Sequence, residues 1–293
     1  MSGTIPIIWK DVFKNWKAGF AVFFTQNTLF KTRPFIGFVH ALVAWGFTLY
    51  LVVNIVDVLY GFIPNFKFLP DSIIGDIYRL FVDTFSVLVL VGVLYLLVRR
   101  FIIKDDRLLT KDPVMLSDKA QKGMLIDSLL VGAFIIIHIG SRFLSASFEI
   151  AIHGPDRSQP AANFVASLWS NMPMETLHLS EHITWWLALG LILAFLPYFP
   201  FSKHAHLFMG PLNIMAAVDR RSMAAIETID FENEELEQFG ASNIQHLPQT
   251  QLLDGYACIQ CSRCQDACPA YETGKELSPS AMEINKRYFL NEN

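Results

Sequence analysis

All four cysteines of the chain stand in one run, Cys258-Ile-Gln-Cys261-Ser-Arg-Cys264-Gln-Asp-Ala-Cys268-Pro269, spaced C-x2-C-x2-C-x3-C-P. Thiolates two residues apart reach neighbouring corners of one iron cube, and the proline turns the chain away after the last ligand. This is the ligand run of a [4Fe–4S] cluster. A disulfide pair and a zinc knuckle are the competing uses of clustered cysteines. Zinc sites rarely join this triplet to a following x3-C-P.

The histidines are the second set with chemistry in them: His40, His138, His153, His178, His182, His204, His206 and His246. Two histidines on different helices at one membrane depth meet the need of bis-imidazole haem b ligation. Packing, interfacial anchoring and quinone contacts compete with that use. An ionisable residue inside a membrane span is a functional candidate by default.

The elements that must carry these residues are apolar. The 293-residue chain is 53% hydrophobic and 17% charged, with 25 Phe and a mean hydropathy of +0.36. That composition fits a membrane protein with a soluble appendage. Four stretches reach the ~20 apolar residues a bilayer needs. They are residues 35–59, 78–98, 124–150 and 182–201. His40 then lies one turn inside the first span, and His204 and His206 just past the fourth.

Flanking charge orients the spans. Lys10, Lys14, Lys17, Lys31 and Arg33 precede the first. Arg99, Arg100, Lys104, Arg107, Lys111, Lys119 and Lys122 lie between the second and third, and Lys203, Arg220 and Arg221 follow the fourth. The other two loops hold only Lys67 and Arg157. The positive-inside rule places both termini and the cysteines in the cytoplasm. Thiols kept reduced agree with that compartment. Residues 1–8 carry no charged n-region before an apolar core, so no cleavable signal peptide is expected.

Residues 1–34 read as a cytoplasmic or interfacial segment. Within it Trp9, Phe13, Trp16, Phe20 and Phe24 recur at helical spacing among lysines, over residues 8–24. A soluble helix packed on the cytoplasmic domain is the alternative. Residues 35–221 form the membrane domain, with a short outer helix over 161–169. Residues 222–250 form a linker whose stretch 227–237 is rich in Asp and Glu, and 251–293 form the iron–sulfur segment.

A family resemblance sharpens this. Gly37-Phe-Val-His40-Ala-Leu-Val-Ala-Trp45-Gly46-Phe47 resembles the first haem helix of the cytochrome b (gamma) subunit of respiratory nitrate reductase. Phe199-Pro200-Phe201-Ser202-Lys203-His204-Ala-His206 resembles the end of its second haem helix, and Arg99-Arg100 also matches. Val22-Phe-Phe-Thr-Gln-Asn27, Leu252-Leu-Asp254 and Thr273-Gly274-Lys275-Glu-Leu277-Ser-Pro279 are similar to membrane-bound oxidoreductases that fuse this cytochrome to a heterodisulfide-reductase-like ferredoxin domain. The resemblance implies an all-α membrane protein: a four-helix cytochrome b bundle plus a small cytoplasmic ferredoxin-type [4Fe–4S] segment. It implies electron transfer between electron-transfer flavoprotein and menaquinone in the cytoplasmic membrane.

Two departures occur together. The gamma subunit carries two haems. Its second histidine on the first helix falls ten residues after the first, where this chain has Tyr50, and on the last helix eighteen before the terminal ligand, where it has Ala188. Eighteen residues are about five helical turns, so Ala188 should face the haem side. The resemblance thus implies one haem b on His40 and His206, near the cluster.

The outer half then holds polar residues on shared helical faces: Tyr50, Asn54 and Asp57; Arg79, Asp83 and Ser86; His138, Arg142, Ser145 and Glu149; His178 and His182. One reading pairs Asp57 and Asp83 with Arg79 and Arg142 internally. A second is a quinone pocket with Tyr50, His138, Arg142 and His182 as its working residues. A third is a second haem between His138 and His182.

In two-cluster ferredoxin domains the fourth cysteine of each run ligates the other cluster. Either all four cysteines bind one cluster, or Cys268 awaits a partner run. The resemblance implies the second, because the family continues into a second cysteine run whereas this sequence stops at Asn293. It therefore reads as a truncated product, a fragment or one gene of a split pair, with a heterodisulfide-reductase-like subunit as the expected partner beside lipid, quinone and electron-transfer flavoprotein. No nucleotide loop, hydrolytic triad, flavin fingerprint or nucleic-acid surface is present. The competing function is a redox-sensing or assembly protein of the membrane, which needs a cluster but no haem.

Overall fold

The computed structural model describes residues 6–64, 66, 68–69, 72–111, 113–216, 231–232 and 240–292. Among these residues there is no strand. In chain order the helices are α1 (Trp9–Lys14), α2 (Trp16–Thr25), α3 (Asn27–Thr32), α4 (Pro34–Phe62), α5 (Ile73–Val98), α6 (Asp118–His153), α7 (Pro160–Ala166), α8 (Met174–Phe195), α9 (His206–Ala216), α10 (Gln249–Ala257), α11 (Arg263–Asp266), α12 (Pro269–Glu272) and α13 (Pro279–Leu290). Four of the described helical stretches are long and apolar enough to cross a membrane: Pro34–Phe62, Ile73–Ile103, Asp118–His153 and Met174–Phe195.

Local chemistry sets their ends. Pro34 opens α4, where its missing N–H would be unpaired anyway. The Ser72 hydroxyl accepts the Gly75 N–H at 3.1 Å and caps α5. A π turn, Arg99–Ile103, closes the second span and ends at Lys104 in left-handed conformation. The fourth span is displaced from expectation. It begins eight residues earlier than position 182 and stops at Phe195. Its first turns are polar, through Glu175 and His178, and so escape a hydropathy reading. Pro197 and Pro200 forbid its continuation. The run from Ala188 to His206 therefore crosses two prolines and two 3-10 turns, Phe199–Phe201 and Lys203–Ala205, and the five-turn facing argument for Ala188 does not hold.

The chain forms two compact units. Unit 1 is Met1–Thr28, Asp106–Asp127 and Phe201–Asn293; unit 2 is Leu29–Asp105 and Ser128–Pro200. Both are assembled from separated stretches, where the sequence divides into consecutive segments.

In unit 2 the core is Tyr50 and Val53 of α4, Val89 and Val93 of α5, and Val131, Ile135 and Ile139 of α6. Helices α4 and α5 pack through small residues: a Cβ on Gly46 would lie 2.2 Å from a Val89 methyl, and one on Gly92 would lie 2.9 Å from a Val43 methyl. Asp83 accepts the backbone N–H groups of Ala161 (2.8 Å) and Ala162 (2.9 Å), tying α7 to α5. The short outer helix expected over 161–169 is α7 with a following 3-10 turn, Ser167–Trp169. Leu51, Ile55, Val91, Leu94, Leu129 and Leu193 are exposed on the outward faces. Such a surface is compatible with a membrane protein, whose helices meet hydrocarbon rather than water.

In unit 1, α1 and α2 pack on α9. Asn15 interrupts what the spacing predicts as one helix, and its side-chain amide donates to the Met215 carbonyl at 3.3 Å. Gly19 lets α2 press against Met215. Trp9, Phe13, Trp16, Phe20 and Phe24 stay exposed on the other side. Helix α9 holds α10 through Asn213 and Asp254 (2.6 Å). The segment ahead of α6 wraps the cysteine region: Gln265 donates to the Leu109 carbonyl at 3.1 Å, and Asn285 accepts from Ser117 N–H at 3.1 Å. Ala120 and Met124 of α6 pack with Ile284 of α13 and with Cys258. Lys67, Arg220, Arg221 and the acidic stretch 227–237, apart from 231 and 232, lie outside the described residues.

Candidate functional site

The cysteines are held by a loop between short helices of unit 1. Helix α10 ends at Cys258, which is extended. Gln260 (φ 57°) and Ser262 (φ 59°) then take left-handed conformations on either side of Cys261. Alternating hands of backbone turn successive N–H groups to one side, the arrangement that forms anion-binding nests at Fe–S sites. The Gln260 N–H donates to Cys258 Sγ at 3.4 Å, and Arg263 Nε to Cys261 Sγ at 3.3 Å. Cys264 rides on α11. Cys268 precedes α12, which opens on Pro269. None of the four forms a disulfide.

Burial pushes the Cys258 thiol up to about 11, and burial raises Cys264 as well. Both are neutral thiols until a metal displaces their protons. Among the described residues no three His, Cys, Asp or Glu side chains converge on a single-metal site. A cubane places one thiolate on each of four separate irons, so its ligands do not converge on a point. Thiol donors on a nest, with N–H groups already aimed at sulfur, fit a [4Fe–4S] centre.

Sequence reasoning missed the polar shell around this loop. Gln265 is buried, donates to Leu109 and accepts from Ser278 Oγ at 2.7 Å. Arg287 is 2% exposed. The signal was there: positions 280, 281, 284 and 287 make one helical stripe of α13, and its other members are small or apolar.

Unit 2 holds a cavity of about 860 Å3, within the ~300–1,000 Å3 range of small-molecule pockets. Its walls include Tyr50 and Asp57 of α4, Arg79, Asp83 and Ser86 of α5, and Arg142, Ser145 and Glu149 of α6. These are the helical faces the sequence marks as polar. Arg142 grips Asp57 through two bonds, Nε to Oδ2 at 2.6 Å and Nη2 to Oδ1 at 3.1 Å. Ser86 Oγ donates to the Val82 carbonyl at 2.6 Å, so the Tyr50 hydroxyl, 2.7 Å away, donates to Ser86. The internal pairing expected of the acids and arginines is only half present. Arg79 binds Asp76 (2.5 Å) and Asp156 (2.9 Å), both nearer the chain's turns, while Asp83 is used by α7.

The histidines separate. His138 does not line the cavity but stands behind it, its ring edge-on to Tyr50 at 6.0 Å and stacked on Phe134 at 5.6 Å. His138 Nδ1 donates to the Ala188 carbonyl at 2.9 Å, and Nε2 lies 3.4 Å from Asn54 Nδ2. His182 is exposed, with Nε2 accepting the Trp186 indole N–H at 3.1 Å. His138 and His182 make no hydrogen bond or ring contact with each other among the described residues. His178 is exposed as well.

His40 is half-buried on α4, one turn beyond Gly37, where the backbone of Phe30 would touch an added Cβ at 3.1 Å. His206 opens α9 and donates Nδ1–H to the Lys203 carbonyl at 2.5 Å, which puts the ring's lone pair on Nε2. That is the tautomer an iron-ligating imidazole would need, with the ring oriented by the carbonyl bond at its other nitrogen. The neighbouring His204 is buried, and burial, with Lys203 adding to it, holds its pKa down to about 4, so it is neutral. Lys203 N–H in turn donates to Asp127 at 2.8 Å.

No protein-family model and no solved structure matches the chain. It is 32% identical over 274 residues to the probable iron-sulfur-binding oxidoreductase FadF of Bacillus subtilis (strain 168), covering 92% of this chain and 36% of that protein. It is 28% identical over 261 residues to the EtfAB:quinone oxidoreductase of Syntrophomonas wolfei, covering 89% of this chain and 35% of that protein. The chain spans about a third of the length of these curated relatives. Both relatives are named as oxidoreductases, one iron–sulfur-binding and one acting on EtfAB and quinone.

Proposed function

We propose that the chain is the membrane electron-transfer part of a quinone-linked iron–sulfur oxidoreductase. Its cluster sits in the cytoplasm, its four apolar helices cross the cytoplasmic membrane, and menaquinone exchanges electrons within them. The observation that carries this is the cysteine loop: four cysteines outside any disulfide, two left-handed residues between them and two N–H groups already on sulfur. The relatives' names, one for iron–sulfur binding and one for an EtfAB:quinone reaction, support the same reading.

Cys258, Cys261, Cys264 and Cys268 hold the cluster, and His40 and His206 hold one haem b. When bound, these groups supply one-electron carriers between a soluble two-electron donor and a two-electron acceptor. The chain's own part is positional. The Lys203 carbonyl fixes the His206 ring, and the Gln260 and Arg263 donors favour thiolate over thiol.

The unit 2 cavity takes the quinone head. Reduction to quinol needs two protons and donors at the two carbonyl oxygens. Arg142 has N–H groups beyond the two that bind Asp57 and supplies a donor. The Tyr50 hydroxyl becomes a second donor by turning its proton from Ser86 to the quinone, and Asp57 and Glu149 are carboxylates lining the same cavity. His138, behind Tyr50, orients the phenol. His182 contacts Trp186, next to the lining Trp185, and stands at the rim. The expected donor is electron-transfer flavoprotein, through a heterodisulfide-reductase-like part carrying a second cysteine motif. Exposed Trp9, Phe13 and Trp16 beside Lys10, Lys14 and Lys17 support an interfacial seat for the N-terminal helices.

The test is reduction of a short-chain menaquinone by dithionite-reduced protein in nanodiscs. Tyr50→Phe and Arg142→Gln should each slow quinol formation by about tenfold or more with cluster content unchanged, the loss of one hydrogen bond to a charged or reacting oxygen. Wild-type rates in both variants would overturn the cavity assignment. Protein that purifies without acid-labile sulfide would overturn the whole reading.

A further inference from the structure

Arg287 is a buried cation with no carboxylate partner among the described residues. A guanidinium stays charged at any accessible pH and carries five N–H donors and no acceptor. Here it is 2% exposed, in the stripe of α13 that faces α10. Its Nη2 donates to the Tyr256 carbonyl at 2.6 Å, and the group lies 6.0 Å from the Tyr256 ring. Nε and Nη1 are buried and have no hydrogen-bond partner, and no carboxylate pairs with the side chain, among the described residues. An uncompensated charge away from water is among the costliest features a fold can hold. A sequence that keeps one needs an anion there.

The neighbourhood names the anion. Tyr256 stands two residues before Cys258. Ile284, one turn before Arg287 on α13, packs against Cys258 in the small core of unit 1. A [4Fe–4S] centre on four thiolates is anionic in both redox states and gains one further negative charge on reduction. Net charge and hydrogen bonds to sulfur are among the levers that set its potential.

We propose that Arg287 is the buried counter-charge of the iron–sulfur cluster and holds its reduction potential up by stabilising the reduced state. This rests on the cluster assignment above. Arg287 ligates nothing; it is a positioning and tuning residue, placed by the Tyr256 carbonyl at the end of α10.

The experiment is an EPR-monitored redox titration of the whole protein in nanodiscs, with iron and sulfide counted per chain. Arg287→Gln should retain the cluster and shift its reduction equilibrium at least tenfold towards the oxidised form, a fall of 59 mV for a one-electron couple. Arg287→Lys should keep most of the wild-type value, because charge is preserved. A glutamine variant with full iron and wild-type potential overturns the inference and leaves the cluster intact as a finding. Wild-type protein without a cluster overturns both. If Arg287→Gln does not fold, pulsed EPR on the reduced protein decides. It would use 15N-guanidinium arginine in an Arg263→Gln background, since Arg263 also touches a cysteine. A 15N coupling to the cluster supports the inference, and its absence overturns it.

Discussion

Arg142 and Asp57 meet as a two-bond ion pair between α6 and α4, with Asp57 only 4% exposed. The pair lines the unit 2 cavity and joins two helices that also meet where His138 of α6 packs on Tyr50 and Asn54 of α4. Breaking a buried pair by removing one partner leaves a charge stranded, at a cost of about 3–5 kcal/mol. Asp57→Asn and Arg142→Gln should each lower stability by an amount of that order, and the double variant by less than their sum. Denaturation in detergent followed by a double-mutant cycle measures this. Strict additivity would contradict the coupling.

The contact of Gly46 with Val89 sets how closely α4 and α5 approach. A Cβ at Gly46 would lie 2.2 Å from the valine methyl, so Gly46→Ala requires a shift. Overpacking of this kind costs about 1–3 kcal/mol. Val89→Ala should restore part of the loss in the double variant. A Gly46→Ala protein as stable as wild type would mean the helices separate freely.

Asp83 carries two backbone N–H groups of α7, and such charge-assisted bonds contribute about 1.5–3 kcal/mol each. Asp83→Ala should therefore loosen residues 160–166 locally. Hydrogen exchange at Ala161 and Ala162 should speed up by tenfold or more, while exchange in the α5 core stays unchanged. Equal protection in both proteins would assign the anchoring of α7 to its apolar contacts.

The exposed aromatic row of α1 and α2 should lie against lipid. In nanodiscs with brominated acyl chains, Trp9 and Trp16 emission should be quenched, and Lys10→Glu with Lys14→Glu should reduce quenching on anionic lipid. Unquenched tryptophans would place this face against protein or water.

Much of this was legible in the residues. Helical spacing alone puts twelve residues on shared polar faces; Tyr50, Asp57, Arg79, Asp83, Ser86, Arg142, Ser145 and Glu149 line one cavity, while Asn54, His138, His178 and His182 do not. Periodicity says which residues share a face; it does not say which side chain a partner will claim. Asp83 is bound by the backbone of α7 and Arg79 by Asp156 in a connecting segment, and neither partner has a sequence pattern that announces it. The extent of α8 was misjudged because its first turns are polar and its end is set by two prolines inside an apolar run. Nothing in the sequence singles out Arg287, since its burial depends on α10 folding over it.

The most direct measurement is a redox-difference spectrum of the purified membrane protein, with pyridine haemochrome and iron counted per chain. The account predicts one haem b and about four non-haem irons, with the b-type absorbance lost in His40→Ala and in His206→Ala while the iron remains. Protein without haem but with iron would remove the cytochrome and leave a membrane-tethered iron–sulfur protein, as a redox sensor would be. Protein with neither would contradict the electron-transfer function itself.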